Sequence, residues 1–143
     1  MRYLLIVLVL LVIFLFPRKK KCEIEVVVTN VSERKGSIEL AIFNDPEVFL
    51  LKNKSFKKYS KKAKSDSLIL RLKNIPKGNY AISLYQDVNS DNVCNLSFAG
   101  IPKEPFGFSN NYKPFLKKPS FKDCQFSLQK DTSIHIRLID VIP

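Results

Sequence analysis

The sequence predicts an all-β protein: a single antiparallel β-sandwich of immunoglobulin-like type, preceded by an N-terminal apolar signal or anchor helix. Three observations carry this. Beyond residue 21, apolar side chains recur at every second position in one short run after another, the period of a strand with one buried face. Turn-forming Asn, Asp, Gly and Pro separate the runs. At 143 residues and 45% hydrophobic composition, the chain suffices for one core and is too short for two. Strands that each keep one polar face hide their apolar faces by stacking two sheets.

Residues 1–21 read as a signal peptide or membrane anchor with a basic flank, and residues 22–143 as the sandwich domain. Tyr3 to Phe16 is an unbroken apolar run of fourteen residues closed by Pro17. As a helix it would reach about 21 Å against a hydrocarbon layer of roughly 30 Å, the length of a signal-peptide core. The expectation is export, to the periplasm or cell envelope. The Arg18-Lys19-Lys20-Lys21 cluster follows the run and no small-x-small cleavage site appears, so retention as a membrane anchor through residues 3–16 stands beside cleavage. A third topology, a tethered domain facing the cytoplasm, follows from the same cluster. The net charge is +11, but five basic residues and no acid precede Cys22, which leaves the domain a modest excess of about +6. That is not the footprint of a nucleic-acid binder.

Within the domain the first strand points Ile24, Val26 and Val28 inward, and the second Ile38, Leu40 and Ile42. NDPEVFLLK follows, with Asn44 or Asp45 as helix cap, Pro46 at the first helical position and Glu47 in the first turn, which predicts one or two helical turns. Lys52 to Lys64 then holds seven lysines in thirteen residues and reads as a solvated crossover loop, with a patch for polyanions or anionic headgroups as the rival. Leu68, Leu70 and Leu72 mark the next strand, and Tyr80, Ile82 and Leu84 the one after it. Between them, Gly78 and Tyr80 fit a tight turn with a tyrosine corner. Phe126 and Leu128, then Ile134, Ile136 and Leu138, complete the pattern.

Two segments between strands carry the candidate chemistry. In DVNSDNVCN, Asp87, Asn89 and Asp91 occupy the first, third and fifth places of a calcium-loop spacing, with the Val93 carbonyl and Asn95 at the seventh and ninth. Asn92 stands where glycine is expected and Phe98 where a bidentate Glu is expected. An Asx-rich turn that satisfies its own backbone is the competing reading of the same residues. In GIPKEPFGFSNN, glycines and prolines fix an irregular path. Lys103, Glu104, Phe106, Phe108, Ser109, Asn110 and Asn111 form a candidate ligand-binding set for an envelope glycan, a peptide or a protein partner, with one phenyl ring as anchor. Against it stands a loop that plugs the sandwich end.

No catalytic set is evident, and the expectation is not an enzyme. His135 falls on the outward side of its strand, and neither H-E-x-x-H, a phosphate-binding glycine loop nor G-x-S-x-G occurs. The alternative is a calcium-binding protein or a small metal-dependent hydrolase built on DVNSDN, with Glu104 or Asp123 as a further ligand. Cys22, Cys94 and Cys124 have no metal or redox spacing; Cys94 and Cys124 form one disulfide or remain two thiols.

YAISLYQDVNSD, GIPKEPFGFSNN and PSFKDCQFSL together resemble a bacterial domain-of-unknown-function family, number 2141. That family pairs a D-x-N-x-[ND]-G loop with G-I-P-K-E-x-[YF]-G-F-S-N and a P-x-F-x-[DE]-A-x-F strand. The resemblance runs from Ile24 to Leu138 and implies an exported envelope protein with a prealbumin-like or carboxypeptidase-regulatory-like sandwich, without an assigned activity. Asn92, Asn95 and Cys124 depart from the family pattern.

Overall fold

Residues 20–32, 35–98, 100–115 and 117–140 are described in the structure, a computed structural model. The apolar run Tyr3 to Phe16, and with it the signal or anchor helix, lies outside the described residues; among them no helix is long and apolar enough to cross a membrane.

Among the described residues eight strands form two sheets. They are β1 (Lys21–Thr29), β2 (Ser37–Phe43), β3 (Lys57–Lys62), β4 (Ser67–Pro76), β5 (Gly78–Asp87), β6 (Phe106–Phe108), β7 (Phe126–Leu128) and β8 (Thr132–Arg137). The smaller sheet runs β4-β1-β8, the larger β3-β2-β5-β6, with β7 also paired to β5. All pairings are antiparallel but one: β8 lies parallel to β1, with Ile24 opposite Thr132 and Thr29 opposite Arg137. The sandwich is therefore mixed rather than purely antiparallel, because the last strand enters from the base beside the first.

The alternation predicts the core well. Ile24, Val26, Val28, Ile38, Ile42, Leu72, Ile82 and Ile136 are wholly buried between the sheets, where each such side chain contributes about 1.5–3 kcal/mol. The β4–β5 turn carries the chain from one sheet to the other. Its Tyr80 hydroxyl donates to the Pro76 carbonyl at 2.7 Å, the expected tyrosine corner. The helical signal in NDPEVFLLK gives one short 3-10 turn, η1 (Pro46–Val48), with Asp45 accepting from Glu47 N–H at 2.9 Å.

The lysine-rich segment is a correction. It is not wholly a loop, since Lys57–Lys62 is the edge strand β3, paired with β2 from Ile42 opposite Lys57 to Ser37 opposite Lys62. Lys57, Tyr59 and Lys61 share its inner face. Tyr59 packs against the core, while Lys61 Nζ donates to the Ile69 carbonyl at 2.6 Å and Lys57 Nζ to the Lys73 carbonyl at 3.5 Å. Both acceptors belong to β4, the edge of the opposite sheet. The alkyl stems cover apolar surface, and the ammonium groups satisfy carbonyls that an edge strand leaves open.

Candidate functional site

GIPKEPFGFSNN divides into three parts. Its middle, Phe106–Phe108, is β6, hydrogen-bonded along β5 with Ser83 opposite Phe108 and Tyr85 opposite Phe106. Both phenyl rings are inside, each only 8% exposed, and meet edge to face with centroids 5.9 Å apart. This corrects the expectation of one phenyl ring as anchor, since both are buried. Gly107 sits between them because β8 passes close by: a Cβ there would fall 2.8 Å from Ile136 Cγ2. Phe106 also exchanges backbone hydrogen bonds with Ile139, which joins the two sheets at this margin.

The third part, Ser109–Asn111, forms the turn η2, and its polar groups are engaged within the protein. β6 and β7 follow the same side of β5 in succession, pairing Ser83–Tyr85 and Gly78–Tyr80. The buried Ser109 Oγ fills the gap, accepting from Ile82 N–H at 2.9 Å and donating to the Cys124 carbonyl at 2.5 Å. Asn110, held at φ 62°, donates to the Asp123 and Gln125 carbonyls. Asn111 accepts from Arg137 N–H at 2.8 Å and donates to the His135 carbonyl at 3.1 Å, so that its carboxamide acts as one rung of a missing neighbour strand beside β8. These three residues stitch β5, β8 and the short helix α1 (Phe121–Cys124) together.

The first part meets the DVNSDN loop. Asp87, 1% exposed, accepts from Asp91 N–H and Asn92 N–H at 3.1 and 2.9 Å. Asp91 accepts from Val93 N–H and from the side-chain amides of Asn89 and Asn95, each at 2.8 Å. The Asn95 bond foremost, then Val93 N–H and Asn89, holds the Asp91 carboxyl below the usual carboxylate range. Glu104, buried like Asp87, accepts from Val88 N–H at 3.0 Å and from Asn95 N–H at 3.4 Å. Asp123, the other suggested ligand, is instead bound to Ser120 in the capping box of α1.

As a calcium cage this set fits poorly. The amide N–H groups of Asn89 and Asn95 point at the Asp91 oxygen a cation would use, and Asp87 faces the loop backbone. Among the described residues no group of three His, Cys, Asp or Glu side chains converges as a metal site. The arrangement is a set of Asx turns.

With this foundation the chain reaches outward as a small hairpin. Leu96 bridges Pro102, Lys103 N–H donates to the Asn95 carbonyl at 2.7 Å, and Ser97 N–H to the Ile101 carbonyl at 2.7 Å. Val93, Leu96, Phe98 and Ile101 are exposed on it, Phe98 completely, and Lys103 is exposed at its base. Apart from Val93, considered for its carbonyl, and Phe98, considered as a departure from a calcium loop, the sequence reading missed these apolar residues. The signal was LSFAGI, an apolar stretch too short for a strand between an Asx turn and Pro102. Gln86 was missed as well: fully buried, it donates to the Ser32 and Lys35 carbonyls and accepts from Ser32 N–H, anchoring the β1–β2 connection.

The three thiols are unpaired. Cys94 lies in the β5–β6 connection and Cys124 on α1 beside Ile82, so the disulfide alternative does not form. Burial pushes the Cys94 thiol up to about 11, with Glu104 adding to it, and the Cys124 thiol up to about 12, with Asp123 adding to it.

No curated protein and no solved structure matches the chain. A family model does, over residues 26–136, which take in β2 to β7, most of β8, part of β1, the Asx loop and the stitched turn. The chain belongs to the bacterial family described as "Uncharacterized protein conserved in bacteria (DUF2141)".

Proposed function

We propose that the protein is an exported or envelope-anchored, non-enzymatic interaction module whose contact element is the β5–β6 hairpin. One observation carries this: four apolar side chains, Val93, Leu96, Phe98 and Ile101, stand in solvent on a projection whose base is fixed by the buried carboxylates of Asp87 and Glu104. Exposed apolar groups on a braced loop lower the ordering cost of binding and gain their burial on contact. A protein or peptide partner suits this element better than a glycan. Ser109, Asn110 and Asn111, the groups a sugar would need, are spent on backbone within the fold. Signal-peptide length in the run Tyr3 to Phe16 supports the location. Among the described residues no assembled donor set supports the hydrolase reading.

The test is a photo-reactive phenylalanine analogue at position 98 of the full chain in the native cells, with the same analogue at Ser133 on exposed β8 as control. The expected result is a discrete protein adduct at 98 that disappears when Ile101→Ser and Leu96→Ser are added. Equal labelling at both positions refutes the assignment.

A further inference from the structure

The end of the sandwich opposite the hairpin has a different chemistry. Register brings the start of β1, the β4–β5 turn and the β7–β8 turn together there: Lys21 lies opposite Pro76, Gly78 opposite Leu128, and Ile24 opposite Thr132. Lys21, Lys73, Lys77 and Lys130 are thereby collected at one base, and Lys52 and Lys54 lie in the η1–β3 connection at the same end. All six are exposed, and among the described residues none pairs with a carboxylate. Four carboxylates share this end. Asp131 is turned to Glu23 N–H at 2.8 Å and Asp45 to Glu47 N–H, so two of the four face backbone rather than lysine. Leu51 and Phe56 are exposed among the lysines.

We infer that this base is a docking face for an anionic lipid bilayer, a role separate from that of the hairpin. The chain supplies the argument for the occupant. The apolar run ends at Phe16, five residues before β1 begins at the centre of the lysine cluster. With that run in a bilayer, the connecting chain is at most about 18 Å long, which keeps the base within about two Debye lengths of the headgroups. Lysines held at that distance are attracted by anionic lipid, and exposed Leu51 and Phe56 suit the interfacial layer. The hairpin then points away from the membrane, toward partners.

The experiment uses the full chain reconstituted in phosphatidylcholine vesicles, with and without about one third phosphatidylglycerol, and maps lysine acylation by mass spectrometry. Rates at Lys73, Lys77 and Lys130 are divided by those at Lys61, Lys62 and Lys64 of the same molecules, so insertion orientation cancels. Anionic lipid is expected to lower this ratio about fivefold, the factor equivalent to one lysine's attraction to such a surface. About 0.5 M salt should restore it. In the triple variant Lys73→Glu, Lys77→Glu, Lys130→Glu, the protection remaining at Lys52 and Lys54 should vanish. An unchanged ratio in the wild-type chain overturns the inference without recourse to any variant. So does slowing of both lysine sets alike, or protection by soluble polyanion in neutral vesicles equal to that by anionic lipid.

Discussion

Ser109 shows how much of this structure rests on single polar atoms. Its hydroxyl lies in the gap between the β6 and β7 pairings of β5, bonded to Ile82 N–H and the Cys124 carbonyl. Ser109→Ala leaves both groups buried without that partner and is expected to cost about 1–3 kcal/mol in urea unfolding. Gly36 is stricter still. At φ +66°, its missing Cβ would lie 1.7 Å from the Asp87 carbonyl oxygen, a backbone atom that cannot swing aside. Gly36→Ala is expected to cost about 3 kcal/mol or more, read as a large fall in the urea midpoint. Neither role was legible in the sequence. Both depend on partners tens of residues away, and local spacing does not encode those.

At the scale of elements, legibility followed the visibility of the alternating pattern. β1, β2, β4, β5 and β8 were readable because Val, Ile and Leu mark their inward positions. β3 was not: Lys57 and Lys61 stand inward beside Tyr59, and a lysine stem at a sheet margin looks like a solvated residue in sequence. β6 was hidden for a different reason, since FGF is too short to display a period. The Asx turns were readable as one of two alternatives, and the carboxylates of Asp87 and Asp91 accept hydrogen bonds from loop amides. Adding millimolar calcium or a chelator is accordingly expected to leave the melting temperature unchanged in a thermal scan, and a calcium-dependent rise would restore the cation reading. The lysine seal makes the converse prediction. Lys57→Val with Lys61→Val uncovers the β4 edge, and size-exclusion chromatography should show concentration-dependent oligomers that the wild type lacks.

For the whole molecule, the two open margins of the sandwich are closed by unlike means. On one side the β3 lysines reach across to β4 carbonyls. On the other, the Phe106–Ile139 bridge and the Asn111 carboxamide tie the larger sheet to β8 and the second residue after it. Two thiols and a tyrosine add a pH signature. Cys94, Cys124 and Tyr85 are all raised chiefly by burial, so above pH 9 the folded chain holds protons that the unfolded chain releases. Stability is therefore constant with respect to these groups below about pH 9 and falls as pH climbs toward 12. Melting temperatures recorded under reductant should decline over that range, less steeply in Cys94→Ser with Cys124→Ala.

The parallel pairing of β1 with β8 bears on when this protein can fold at all. The smaller sheet has only three members, and its central strand gains its second neighbour from residues more than a hundred positions later in the chain. Closing so long a loop is slow, and the reward arrives only once β8 itself has been made. A nascent polypeptide of this design therefore keeps one edge of β1 open until residues 132–137 have been made.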